Sequence, residues 1–215
     1  MTSRHTHADP PVAGEEARDL AAIGRWLVKT AGNPEIARAD WVGGRPAMLP
    51  LGVRFDAVKM PPPLVHAATV STVPTQVCAA LADLLGGPVV CHPGVWYYAL
   101  VPAGTTETWH SPYAVVLGRG AWLGTPRPDR TTPGPTLPYW AVPPERSGRL
   151  CAPDAVADLL RAGAKHLEPP GHAELYRARL DHLEACASCG AGTLCDAGKA
   201  LREAAREARD AARLP

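Results

Sequence analysis

Phenylalanine occurs once in 215 residues, at Phe55, and lysine only at Lys29, Lys59, Lys165 and Lys199. No apolar run approaches the roughly 20 residues that a bilayer-spanning helix needs, so no membrane helix is expected. The opening segment MTSRHTHADPPVAGEEARD lacks the apolar core of a secretory signal. Both absences point to a cytoplasmic protein without a membrane partner. Net charge is almost missing as well: 22 basic and 21 acidic residues leave +1. No global field therefore draws in a polyanion, and any nucleic-acid contact has to come from a local patch. No P-loop, nucleophile elbow, HExxH or ordered Ser-His-Asp set occurs, which argues against the common NTPases and hydrolases.

What is present is apolar residues at 46%, six tryptophans, 24 prolines and 20 glycines without a period. That balance describes strands and tight turns around a buried core, not a low-complexity chain. Arginine in place of lysine, with abundant Ala, Pro and Gly, has the look of a GC-rich bacterial genome. Six cysteines in a reducing compartment favour metal binding or burial over a disulfide framework.

Along the chain, residues 1–17 read as a disordered lead, 18–168 as an α+β domain and 169–215 as a helical hairpin. The boundary falls at Pro169-Pro170-Gly171. Leu20, Ile23, Leu27 and Val28 recur at helical spacing. Asn33-Pro34 reads as an N-cap followed by proline at the first helical position. Residues 47–58 suggest one or two strands, 72–85 a helix, and 88–91 with 95–101 a strand pair. Short strands are expected at 113–117, 121–123 and 139–142, around the proline-laden loop TPRPDRTTPGPTLP. A helix over 154–161 is expected to stop at Gly163. Helices and strands so interspersed predict a mixed sheet with packed helices.

The tail carries the sharpest chemistry. His182, Cys186 and Cys189 stand at i, i+4 and i+7, which predicts one helix face for all three. Zinc takes four nitrogen or sulfur ligands at tetrahedral directions. The bend Gly190-Ala191-Gly192 can return Cys195 as the fourth, at the opening of the next helix. A structural zinc that pins a helical hairpin is the reading; an exposed thiol cluster and a redox Cys-x-x-Cys are the alternatives. The same H-x-x-x-C-x-x-C run resembles the local motif of zinc-associated anti-sigma factors, which implies a protein partner held through the hairpin. Further on, Arg202, Arg206, Arg209 and Arg213 fall on one stripe with Glu203, Glu207 and Asp210 beside it. A solvated, ion-paired face is the expectation, and phosphate contact the alternative.

Four segments carry a second resemblance: PLGVRFDAVKMP (50–61), GPVVCHPGVWYYALVPAGT (87–105), LGRGAWLGTPRP (117–128) and YWAVPPERSGRLCAPDAV (139–156). Over about residues 18–162 they resemble the N-terminal domain of bacterial bifunctional DNA primase/polymerases. The resemblance implies an α+β domain with an RRM-like sheet core. It also implies paired acids and a later acid holding Mg or Mn for nucleotidyl transfer, and a His on a neighbouring strand. Asp56 matches the first acid, but its partner position is Val58, and Trp96 and Tyr97 stand where the His belongs. Glu107 or Asp129 would have to supply the late carboxylate. The expectation is a catalytically degenerate relative that binds nucleic acid or nucleotide. A polymerase with relocated ligands is the alternative, with Asp56 as its catalytic candidate. Asp56 also reads as a strand-end residue paired with Lys59 or Arg54. Trp96 and Tyr97 read either as core or as a base-stacking platform.

Overall fold

A computed structural model describes residues 13–167, 171–190 and 193–211. Chain contacts divide it into two units, Met1–Leu167 and Glu168–Pro215. The proline pair at 169–170, the bend residues 191–192 and Arg213 lie outside the described residues, as do residues 1–12.

Helix α1 (Ala13–Val28) starts earlier than the apolar period suggests, so residues 13–17 belong to it and not to the lead. Asn33 caps α2 (Pro34–Val42) by accepting the Glu35 N–H at 3.0 Å. The strands are β1 (Ala47–Pro50), β2 (Phe55–Met60), β3 (Val89–His92), β4 (Trp96–Pro102), β5 (Val115–Leu117), β6 (Trp122–Thr125) and β7 (Tyr139–Val142). Between them lie α3 (Pro62–Ala68), α4 (Pro74–Leu85) and the short α5 (Thr105–Thr108), and after them α6 (Pro153–Leu167). The first unit is α+β.

Its main sheet runs β5-β2-β4-β3-β7, and β1 pairs with β6 as a separate ribbon. Every pairing among the described strands is antiparallel. The crossover from β2 through α3 and α4 leads to β3, and β4 returns between the two. That order is a split β-α-β arrangement, widened by β7 outside β3.

Side chains alternate across the pleat, and both faces are buried. Val58, Met60, Val89, Cys91, Tyr97, Ala99 and Val101 face one cluster with Val65, Val77, Leu81, Val156 and Leu160 from α3, α4 and α6. Phe55, Ala57, Val90, Leu100 and Trp140 face a second cluster with Ile23, Leu27, Trp41, Leu49 and Leu123 from α1, α2 and the ribbon. Side-chain bonds fasten the second layer: Trp41 Nε1–H donates to the Thr125 carbonyl at 2.9 Å, and Trp140 Nε1–H to the Arg127 carbonyl at 3.2 Å. The latter also anchors the proline-laden loop, which holds no helix or strand between β6 and β7.

Gly163 does not end α6. The helix continues to Leu167 because Gly163 is where it presses against α3. A Cβ there would lie 2.1 Å from the Leu64 carbonyl oxygen.

His92 Nε2 lies 2.9 Å from the Gly124 carbonyl, and its ring packs edge-on against Tyr98. Since the carbonyl accepts, Nε2 carries the proton. Burial holds this imidazole below its ordinary value of 6.5, partly offset by the Gly124 bond. The unfolded chain therefore takes up the proton first. Stability is intact above about pH 6.5 and declines as the pH drops through the folded-state value. Urea midpoints are expected to fall on acidification below that point. His92→Gln, which keeps a donor for Gly124, is expected to flatten the fall; an unchanged profile would show that His92 is not its source.

Candidate metal centre

Helix α7 (His172–Ala185) carries His182 in its last turn. A straight helix rises about 1.5 Å per residue, so positions i and i+7 stand roughly 10 Å apart along it. Three ligands on one continuous face could not meet at one ion. The chain solves this by breaking: Cys186 takes an extended conformation (φ −92, ψ 114) as the C-cap of α7. Cys189 lies in the separate helical turn α8 (Ala187–Gly190). The single face read from the spacing is thus corrected to a helix end plus a turn. Cys195 immediately precedes α9 (Asp196–Ala211), and its carbonyl accepts the Lys199 N–H at 2.9 Å.

Ligand atoms of His182, Cys186, Cys189 and Cys195 all lie within 4.8 Å of one another. His182 Nε2 is 3.1 Å from Cys195 Sγ and 3.5 Å from Cys189 Sγ. Cys195 Sγ is 3.6 Å from Cys189 Sγ and 3.9 Å from Cys186 Sγ. A disulfide would need about 2.05 Å. A tetrahedron with metal–sulfur bonds of about 2.3 Å and a metal–nitrogen bond of about 2.0 Å has edges of roughly 3.5–3.8 Å. The observed separations suit that tetrahedron and no covalent pair. The four residues could hold one metal ion.

The surrounding backbone also donates hydrogen bonds to the three sulfurs. Cys186 Sγ accepts from the Cys189 N–H, which pulls its thiol below its ordinary value. Cys189 Sγ accepts from the Cys195 N–H at 3.3 Å, and Cys195 Sγ from the Gly198 N–H at 3.4 Å. The last bond places a sulfur at the N-terminus of α9, where backbone donors favour an anion. Such N–H to sulfur bonds orient ligands and support metal affinity.

Gly198 is the member of this site that spacing did not reveal. A Cβ on it would approach Cys189 Sγ to 2.9 Å and His182 Cδ2 to 3.5 Å. Gly198→Ala is expected to weaken metal binding about 10- to 100-fold, as loss of outer-shell support does. Competition with a chromophoric chelator would measure this, and an unchanged affinity would show that the ligands tolerate the methyl.

The remaining candidates are not brought together. Asp56 is buried as the second residue of β2 and pairs with neither Lys59 nor Arg54. Its Oδ2 accepts the Gly104 and Thr106 N–H groups at 3.0 and 3.2 Å, while Oδ1 is buried without a hydrogen-bond partner. Lys59, an odd number of residues along the strand, points to the opposite face and sits 4.0 Å over the Trp96 ring. Tyr97 is buried against the helices, 3.3 Å from His66 Nε2. Trp96 is half-buried on the other face. Tyr97 is thus closed off by the helices, while the Trp96 ring lies under the Lys59 ammonium. Glu107 is exposed on α5, and Asp129 is bound to Arg127 at 2.6 Å. Among the described residues the His/Cys cluster is the only grouping of three or more such ligands. Cys91 and Cys151 are buried, and burial raises the thiols of Cys78 and Cys91 and pushes Cys151 up to about 12.

On α9 the ion-paired face is only partly realised. Lys199 pairs with Asp196 and Arg209 with Asp210. Arg202 and Arg206 have no carboxylate partner among the described residues, although Glu203 and Asp210 stand at i−3 and i+4 from Arg206.

Fold and site together define an α+β unit followed by a helical hairpin with a His/Cys3 cluster. Comparison with known proteins finds no matching family model, no matching curated protein and no matching solved structure. No described helix is long and apolar enough to cross a membrane.

Proposed function

We propose that the His/Cys3 cluster holds a structural zinc ion, and that the protein is a catalytically degenerate relative of primase/polymerase domains that binds nucleic acid. The observation that carries the zinc reading is the convergence of one imidazole nitrogen and three sulfurs at tetrahedral edge lengths. Three thiolates and an imidazole suit zinc over magnesium or calcium, which prefer oxygen. All four positions are filled by the chain, which leaves no open place for a substrate.

The split β-α-β order supports the primase/polymerase reading, since an RRM-like core has that connectivity. Loss of catalysis is supported by Asp56, whose carboxylate is committed to backbone N–H groups. Two-metal nucleotidyl transfer needs clustered carboxylates, and Val58 stands at the second position. Titration of the full chain with a labelled single-stranded oligonucleotide is expected to give binding that weakens as salt rises. No binding at any salt would end the nucleic-acid reading. Primer extension that proceeds with manganese would revive the polymerase.

A second reading, a regulatory module holding a protein partner, rests on Tyr176 and Leu180. They lie one helical turn apart on α7 and are 47% and 43% exposed. Co-purification with a sigma factor, lost on Cys186→Ser, would favour it.

A further inference from the structure

The groove beside the hairpin is more basic than the chain that makes it. α7 and α9 pack side by side, and an open cleft of about 490 Å³ is lined by residues from both. From α9 come Lys199, Arg202, Arg206 and Arg209, at i, i+3, i+7 and i+10, with Glu203 the one acid in the lining. Arg179 enters from α7. Five cations against one carboxylate contrast with a near-neutral whole.

Two details separate this cleft from an ordinary solvated face. The ion pairs sit at its ends, Lys199 with Asp196 at 3.1 Å and Arg209 with Asp210 at 3.3 Å. Arg202 and Arg206, in its middle, have no carboxylate partner among the described residues. Arg179 Nε is buried with no hydrogen-bond partner among the described residues. Buried donors are ordinarily satisfied, so this Nε–H calls for an acceptor that the described residues do not supply. The guanidinium fork matches phosphate oxygens.

We propose that the cleft between α7 and α9 binds the phosphodiester backbone of an unpaired nucleic-acid strand, with Arg179, Arg202 and Arg206 as its phosphate contacts. The proposal rests on the nucleic-acid reading above and gives it a place. A regular row of cations along one helix line suits a chain with one charge per repeat. Tyr176, half-exposed in the cleft wall, adds a ring on which an unpaired base can stack, as single-strand sites use. Duplex bases cannot offer that face. The metal clamp fixes α7 against α9 and so holds the cleft open in one shape.

The test uses the full chain and a fluorescein-labelled oligothymidylate, followed by anisotropy over a salt series. Each lost contact to a single strand lowers the slope of log K against log salt by about 0.7, so Arg202→Gln with Arg206→Gln is expected to lower it by about 1.4 and the affinity roughly 60-fold at about 50 mM salt. Metal content per chain should stay unchanged in that variant, which reports an intact hairpin. A duplex of the same length should bind more weakly. If the oligonucleotide binds wild type and variant alike, the cleft is not the site, although the nucleic-acid reading survives. If wild type binds no oligonucleotide, both fall. Displacement by polyglutamate as effective as by unlabelled oligonucleotide would make the partner an acidic protein and overturn the proposal. Should the variant lose its metal, phenylglyoxal labelling of wild type decides: protection of Arg202 and Arg206 by the oligonucleotide supports the site, and unchanged labelling overturns it.

Discussion

Cys195→Ser is expected to empty the metal centre and unfold the hairpin. Serine keeps the size but not the sulfur, and its hydroxyl stays protonated at neutral pH, so the tetrahedron loses a corner. The consequence for α7 and α9 follows from how little else holds them. Among the described residues of this unit only Cys189, Gly198 and Ala205 are buried. Helices shorter than about 12–15 residues are marginal alone in water, and longer ones depend on packing. Units below about 70–80 residues rarely draw enough stability from one small core and commonly rely on a metal or disulfides. Zinc contributes about 10–16 kcal/mol in small zinc-folded peptides, far more than three small buried residues can. Elemental analysis should therefore fall from about one zinc per chain to near none, and the helical circular dichroism signal should drop. Chelation of the unmodified protein should reproduce both effects. A hairpin that keeps its helicity without metal would leave the cluster without a structural role.

How far the sequence disclosed this depends on the range of the interactions involved. The His/Cys cluster was legible because few residue types can bind zinc and four of them crowd into fourteen positions. The break at Cys186 was not, since i, i+4, i+7 spacing fits an unbroken helix equally well. Only the roughly 10 Å spread along a straight axis argues against it, and that argument needs the ion in place. Gly198 was invisible for a related reason: its role is to leave room for a sulfur that arrives from another element. Strands β2, β3 and β4 were legible from local apolar runs. Which face of the sheet is covered was not, because the covering ribbon pairs Ala47 with Thr125, a contact between distant segments. Tyr97 is covered instead by the helix layer, and Lys59 lies over the Trp96 ring, contacts that equally need the folded sheet to be seen. Asp56 is ambiguous in the same way, for a buried acid that organises a loop and one that binds metal look alike in sequence, and only the structure shows the Gly104 and Thr106 N–H donors.

Gly163→Ala should be strongly destabilising, with the sign opposite to helix propensity. In an exposed helix interior alanine is favoured over glycine by up to about 1 kcal/mol. Within α6 the added methyl would meet the Leu64 carbonyl oxygen at 2.1 Å and its carbonyl carbon at 2.9 Å. Both are backbone atoms of α3, and no rotamer change can move them aside. The two helices would have to part. Parting would also stretch the bond that His166 Nδ1 makes to the Ala67 carbonyl at 2.8 Å and loosen Val65 and Leu160, both fully buried. Overpacking costs about 1–3 kcal/mol and occasionally more. A loss near the upper end, about 3 kcal/mol after the propensity gain, corresponds to roughly 6–12 °C in melting temperature for a chain of this size. The urea midpoint should fall while the slope stays constant, which marks a change in stability and not in the extent of unfolding. Gly134→Ala is the matched control, since nothing lies within 4 Å of a Cβ there and its φ is not positive. Its effect should stay within about 0.5 kcal/mol. If Gly163→Ala matched that control, α3 and α6 could not approach as closely as the shared backbone contact requires, and the helix layer over that face of the sheet would have to be packed differently.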